Sequence, residues 1–183
     1  EEGQKTGFFI DQRENRDLVR QYSRGRKVLN TFCYTGGFSV AALAGGAREV
    51  GSIDLSERAV KLAEENVTLN FGADAPHKAI ACNAVEYLKD IDSDYDLIIL
   101  DPPAFAKHHK VLGNALQGYK KINARALEKI RPGGILFTFS CSQAVSRDLF
   151  RTTIFTAAAI ARRKVRIIGQ LTQPADHPIN IYH

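Results

Sequence analysis

Two short stretches hold side chains that could do chemistry. One is "LDPPAF" (100–105), in which Asp101 closes an apolar run and two prolines follow. Each proline fixes its own φ and removes a backbone donor. The loop is therefore stiff, and its leftover carbonyls and the Asp101 carboxylate can face a planar ligand. Pro102 and Phe105 are candidate contacts to such a ligand, Phe105 by stacking. A flipped nucleobase is held in this way, stacked and read along its polar edge. An ordinary rigid turn with Phe105 in the core is the alternative. The other stretch is "TFSCS" (138–142), where Cys141, one of three cysteines in 183 residues, sits between two serines. Free cysteine is among the most buried residue types, so a core thiol is the plain alternative there.

A third stretch, "NTFCYTGGFS" (30–39), follows an apolar run and leads into a helical pattern. Small residues (Thr35, Gly36, Gly37) let the backbone pass close to a ligand at a helix N-terminus, which makes Tyr34, Thr35 and Gly36 candidate cofactor contacts. The next apolar run ends in Asp54-Leu55, and a carboxylate there can accept both hydroxyls of a ribose. The one after ends in Cys82-Asn83, where a side-chain carbonyl could accept from an adenine amino group. Three successive strand ends thus outline an adenosine site. A dinucleotide loop would read G-x-G-x-x-G; "TGGFSV" does not, which favours a cofactor with adenosine and no phosphates, S-adenosylmethionine. Each piece has an alternative: a tight turn at the glycines, a helix cap at Asp54, a turn residue at Asn83.

These positions need elements to hold them. Strand patterns occur at 26–32, 49–55, 77–83, 95–101, 134–141 and 164–171. Helical patterns occur at 38–46, 56–70, 84–91, 114–130 and 146–162, with another inside 7–23. Ser56 stands where an N-cap should, and Arg131-Pro132-Gly133 ends the helix before it. Strands alternating with helices imply an α/β fold: a doubly wound, mostly parallel sheet covered on both faces. In such sheets ligands bind beyond the carboxyl ends of the strands.

Composition agrees with one domain. Hydrophobic residues make up 44% and charged residues 25%, which is globular. No apolar stretch is long enough for a bilayer span, and the cysteine spacing suits no zinc finger. Three widely spaced cysteines predict a reducing, cytoplasmic setting rather than a disulfide framework. The net charge of +5 is compatible with an anionic partner. The clusters "RGRK" (24–27), "KHHK" (107–110), "YKK" (119–121) and "RRK" (162–164) could contact phosphates.

Taken together, "GFFIDQR", "NTFCYTGGFSVAALAGGA", "DPPAF", "TFSCS" and "ADHP", in that order, resemble the cytosine-5 methyltransferases of large-subunit ribosomal RNA, methyltransferase I type. The resemblance spans essentially the whole chain. It implies a Rossmann-like, class I S-adenosylmethionine-dependent methyltransferase domain over 1–183, ribosomal RNA as partner, and no membrane or metal. It also implies an RNA-binding PUA domain and a linking domain ahead of this one, and a seventh, antiparallel strand after "HPINIYH". Without that strand an exposed sheet edge would invite pairing with a second copy. C5 of cytosine is a poor nucleophile, and covalent catalysis solves this: a thiolate adds to C6 and makes C5 enamine-like. The resemblance gives that thiolate to Cys141, beside "DPPAF" if the fifth strand neighbours the fourth. Ser140 and Ser142 would shape the loop or hydrogen-bond the thiolate.

By the same resemblance Asp101 stabilises protonation at N3 of the base and borders the cofactor, and Gln12 and Arg13 lie over cofactor and target. A solvated helix start capped by Asp11 is the alternative for that segment. Cys33 is a weaker nucleophile candidate. Pro103 occupies the place where many RNA cytosine-5 methyltransferases carry a second cysteine, which leaves the base for the C5 proton open among His177, His108 and His109. Asn83 stands where an aspartate is commoner. Competing expectations are a base N-methyltransferase that needs no nucleophilic cysteine, a nicotinamide-dependent oxidoreductase, and an RNA-binding piece without activity.

Overall fold

The computed structural model describes residues 9–105, 112–142 and 144–177. A 3-10 turn (Ile10–Gln12) leads into α1 (Arg13–Tyr22). The alternation then runs β1 (Lys27–Thr31), α2 (Gly37–Ala44), β2 (Glu49–Asp54), α3 (Glu57–Phe71), β3 (His77–Ala81) and α4 (Ala84–Asp90). It continues with β4 (Tyr95–Leu100), α5 (Leu112–Lys129), β5 (Ile130–Thr138) and α6 (Arg147–Ile160). The sheet order is β3-β2-β1-β4-β5 and every pairing is parallel.

Strand alternation sorts the core onto two faces. Val28, Val50, Leu97 and Ile99 pack against Val19 of α1 and Phe38 and Ala42 of α2. Their neighbours Leu29, Ile53, Ile98 and Leu100 pack on the opposite face against Ala84 and Leu88 of α4 and Ile122 and Ala126 of α5. Both faces are covered, which is why β4 reads as a continuous apolar run from Leu97 to Leu100. The chain winds outward from β1 to β3 and then returns to place β4 on the other side of β1. The crevice therefore opens at the carboxyl ends of β1 and β4.

Local chemistry sets the boundaries. Ser56 accepts the Ala59 N–H and Ser146 the Leu149 N–H, capping α3 and α6. Gly45 lets α2 end against α1, because a Cβ there would fall on the Arg20 carbonyl. Two expectations are corrected. Arg131-Pro132-Gly133 does not separate helix from strand: β5 already begins at Ile130, opposite Tyr95, and absorbs the extra residues as an irregularity before Ile135 meets Leu97. The segment 164–171 is not a strand; it has no ladder partner among the described residues, and Val165, Ile167 and Ile168 are exposed. Its alternating pattern is intact, but a strand exists only through its neighbour, and among the described residues β5 pairs with β4 alone.

Candidate active site

The carboxyl ends of β1, β2, β3, β4 and β5 bring the expected residues together. After β1 the backbone turns sharply, with Phe32 at φ 56, Tyr34 at φ 47 and Gly36 at φ 80. Positive φ at two side-chain-bearing residues is strain of the kind that persists only where surroundings enforce it. Asp54 does the enforcing. Its Oδ2 accepts the Tyr34 N–H at 2.9 Å and its Oδ1 accepts the Ser56 N–H at 3.0 Å. From α3, Asn66 donates to the Thr35 carbonyl at 2.9 Å. Gly36 is required by space as well as φ: a Cβ there would meet the Ala63 Cβ at 2.9 Å. Asp54 is thus not the cap of the next helix; Ser56 is.

This arrangement fits an adenosyl group without phosphates. Each Asp54 oxygen carries one backbone hydrogen bond and keeps a lone pair for a ribose hydroxyl. Leu55 beside it is 75% exposed, an apolar surface for a purine face. No cationic side chain stands in 32–37. Asn83 differs from expectation in one respect. Its Oδ1 accepts the N–H groups of Val85 and Glu86, capping α4. The carbonyl expected to meet an adenine amino group serves the helix, and Asn83 offers its Nδ2 amide, a donor suited to a ring nitrogen.

Between β4 and β5 lies the candidate reacting centre. Cys141 Sγ is 3.7 Å from the Pro102 carbonyl oxygen. Of the three cysteines, Cys33 is buried and Cys82 half-buried, and Cys141 is the exposed one. Burial, then the Asp54 charge, push the Cys33 thiol up to about 12, which disfavours its thiolate. The two serines flanking Cys141 have a structural partner that the sequence did not reveal. Ser140 Oγ donates to the Tyr119 hydroxyl at 3.0 Å, and the Tyr119 and Ser142 hydroxyls are 3.1 Å apart. Tyr119, on α5, is 0% exposed, so the Ser-Cys-Ser turn is pinned to the core on both sides of the thiol. Phe105 packs on the same tyrosine with ring centroids 4.7 Å apart, and on Gly118, whose missing side chain makes room for it. Phe105 is thereby a support of the proline loop.

Asp101 carries the strongest electrostatic signature in the crevice. Burial, then the charge of Asp11, push its carboxyl up to about 7, with Arg16 opposing. Cys141 is exposed as a residue, but its sulfur sits back against Pro102; burial, then the Asp101 charge, hold its thiol above the ordinary value. Gln12 reaches this centre, its Nε2 donating to Asp101 Oδ1 at 3.5 Å. Arg13 turns instead to Asp176 at 2.6 Å, so "DQR" is joined to "ADHP". His177 is exposed, with Nδ1 3.7 Å from Asp176 Oδ1. Asp11 caps nothing; its charge acts on Asp101. His108 and His109, with "KHHK", lie outside the described residues.

The basic clusters divide. Lys27 pairs with Asp94 at 2.6 Å and Glu49 at 3.3 Å, and Arg163 donates to the Ile130 carbonyl at 2.9 Å. "RGRK" and "RRK" therefore hold the strand starts, at the end of the sheet opposite the site. On the basic face nearer the site only Arg13 was singled out from sequence: Arg13, Arg16 and Arg20, spaced along one side of α1, line a groove of about 450 Å³ with Thr35, Asn66 and Asn70. Among the described residues no group of three or more metal-ligating side chains occurs, and no helix is long and apolar enough to cross a membrane.

A five-stranded parallel α/β sheet of this order, with helices on both faces, is the Rossmann-like fold of class I methyltransferases. The profile of the S-adenosylmethionine-dependent methyltransferase family matches residues 1–179, and the chain belongs to that family. It is 44% identical over 180 residues to Ribosomal RNA large subunit methyltransferase I of Tolumonas auensis, covering 97% of this chain and 45% of that protein. It is 45% identical over 181 residues to the protein of the same name from Erwinia tasmaniensis, covering 97% of this chain and 46% of that one. The chain thus spans somewhat under half the length of these relatives. Among solved structures it resembles a protein crystallised in complex with SAH, at TM-score 0.83 and 28% identity over 96% of this chain and 47% of that one.

Proposed function

We propose that this chain is the catalytic domain of an enzyme that methylates C5 of a cytosine in large-subunit ribosomal RNA through a Cys141–C6 adduct. The carrying observation is the placement of an exposed thiol, Cys141, 3.7 Å from the Pro102 carbonyl, beside an acid held near neutrality. When bound, S-adenosylmethionine supplies an electrophilic methyl group on a sulfonium. Tyr34, Thr35, Gly36, Asp54, Leu55 and Asn83 would hold it, with Asp101 at its border. Ribosomal RNA as substrate is supported by the relatives' names. Three free thiols suit a reducing, cytoplasmic setting.

The Cys141 thiolate adds to C6 of the ring; the C5–C6 double bond becomes single, C4=C5 forms as the enamine, and the electrons of the N3=C4 bond take a proton from Asp101 at N3. An acid near neutrality can both give and regain that proton. Protonated Asp101 also no longer repels the thiolate, one cause of the raised Cys141 thiol. After C5 gains the methyl group, its proton leaves to a base, the C5–C6 double bond reforms, and Cys141 is expelled. Ser140, Ser142 and Tyr119 keep the sulfur in place through addition and expulsion, while the rigid Pro102-Pro103 loop, backed by Phe105, presents the base. Arg13, Arg16 and Arg20 would contact flanking phosphates.

The test is trapping. Full-length protein is incubated with S-adenosylmethionine and ribosomal RNA carrying 5-fluorocytosine, which has no C5 proton to lose. A covalent protein–RNA adduct that disappears in Cys141→Ala supports the proposal. Methyl transfer to normal RNA with no adduct from either protein overturns it in favour of a ring-nitrogen or amine methyltransferase.

A further inference from the structure

We propose that Asn15 is a positioning residue of this site: it holds the Gln12 carboxamide in one of its two flips and so aims the Gln12 amide N–H at Asp101. This rests on the role given to Asp101 above. Asn15 lies in the first turn of α1 and is 7% exposed. Its Nδ2 donates to Gln12 Oε1 at 2.6 Å, and Gln12 Nε2 donates to Asp101 Oδ1 at 3.5 Å. The two bonds share one carboxamide. A side-chain amide presents a donor edge and an acceptor edge, and which edge faces Asp101 is set by which edge Asn15 engages.

The consequence is chemical. A donor facing a carboxylate favours the charged form, and an acceptor facing it favours the protonated acid. With Asn15 donating to the Gln12 carbonyl, the Gln12 amide N–H is the edge that faces Asp101, a donor 3.5 Å from the carboxylate. The reversed pair, Gln12 donating to residue 15, would show Asp101 an oxygen and stabilise the acid further. The other charged or titratable groups acting on Asp101 are Asp11 and Arg16 from the N-terminal segment and Cys141 from the loop after β5. Asn15 is uncharged and acts through Gln12 alone, which makes its contribution separable.

The experiment compares Asn15→Leu and Asn15→Asp in the full-length protein. Asn15→Asp can only accept, so it forces the reversed amide; Asn15→Leu removes the preference without adding charge. Single-turnover methyl transfer is followed against pH at saturating S-adenosylmethionine, with cofactor affinity measured by calorimetry. The pH above which the acid form is lost should rise on the order of one pH unit in Asn15→Asp and less in Asn15→Leu. In a Gln12→Leu background, Asn15→Leu should change nothing, because no amide remains to orient. An unmoved profile in Asn15→Leu, or the same displacement without Gln12, overturns the proposal. A second readout needs no turnover. The Gln12 side-chain amide NMR signal should follow the Asp101 titration in the wild type and lose that dependence in Asp101→Asn and in Asn15→Leu. A wild-type Gln12 signal that ignores pH also overturns it. If Asp101→Asn leaves methyl transfer intact, the role of Asp101 fails instead, and the NMR titration still decides whether Asn15 orients Gln12.

Discussion

The Cys141 sulfur lies 3.7 Å from the carbonyl oxygen of Pro102, so the end of β5 touches the proline loop that ends β4. The two residues are far apart in sequence and meet because β4 and β5 are adjacent parallel strands. Cys141→Ala should lower methyl transfer at least about a hundredfold, as loss of a covalent nucleophile does. S-adenosylmethionine affinity should stay unchanged, since the cofactor residues lie on other strand ends. Rapid-quench turnover and calorimetry on one preparation check both.

Tyr119→Phe removes the hydroxyl shared by Ser140 and Ser142. The serines lose a buried partner, at a cost of about 1–3 kcal/mol. The thiol should also lose its fixed position, so the rate of adduct formation should fall while cofactor binding does not. Chemical denaturation and the trapping rate with 5-fluorocytosine RNA measure the two effects.

Asp101 links stability to pH. Its folded pKa of about 7 lies above the ordinary 3.8, so the folded protein holds a proton that the unfolded chain releases. Stability from this group is intact below about pH 4 and is lost as pH rises to about 7, with the full penalty above that. Asp101→Asn should therefore match the wild type in acid and exceed it above pH 7 by on the order of 2–4 kcal/mol. The same variant should lose about a hundredfold or more in methyl transfer, because an acid has been removed. Denaturation curves at several pH values show whether the gain follows this sign.

Gly36→Ala places a Cβ 2.9 Å from the Ala63 Cβ at φ 80. The left-handed conformation alone costs about 1–2 kcal/mol for an L-residue. The strained turn after β1 should relax and move the Tyr34 backbone off Asp54, so S-adenosylmethionine affinity should fall further than stability does. Calorimetric titration beside thermal unfolding separates the two.

Arg20 lines the α1 groove and pairs with Asp17 on the same helix at 3.1 Å, away from the thiol. Arg20→Ala should weaken RNA binding evenly across sequences and reduce the salt dependence of log K by about 0.7–0.9, the loss of one phosphate contact. The turnover rate of bound RNA should not change. Binding at four salt concentrations gives the slope.

Most of the sheet, and the strand-end placement of the candidate cofactor residues, were legible along the chain. Period and capping placed α3 at Ser56, five of six strand patterns formed strands, and the small-residue turn at 34–36, Asp54 and Asp101 each stand at a strand end. These are local facts, written by alternation, cap chemistry and glycine, which depend on residues a few positions away. The exceptions show where locality stops. "KVRIIGQL" has a strand's pattern and no strand, because pairing is decided by a neighbour and not by the segment. "RGRK" and "RRK" have the composition of a phosphate contact, yet the crossover geometry carries them to the far end of the sheet. Only the tertiary structure sets Tyr119 under both serines of "SCS", committing Phe105 to support. Only it turns the Asn83 carbonyl to capping, and strings Asn15, Gln12 and Asp101 together from α1 to β4. Those contacts join elements separated by whole βα units, and the depth of burial that lifts Asp101 to about 7 exists only once the sheet has closed around it.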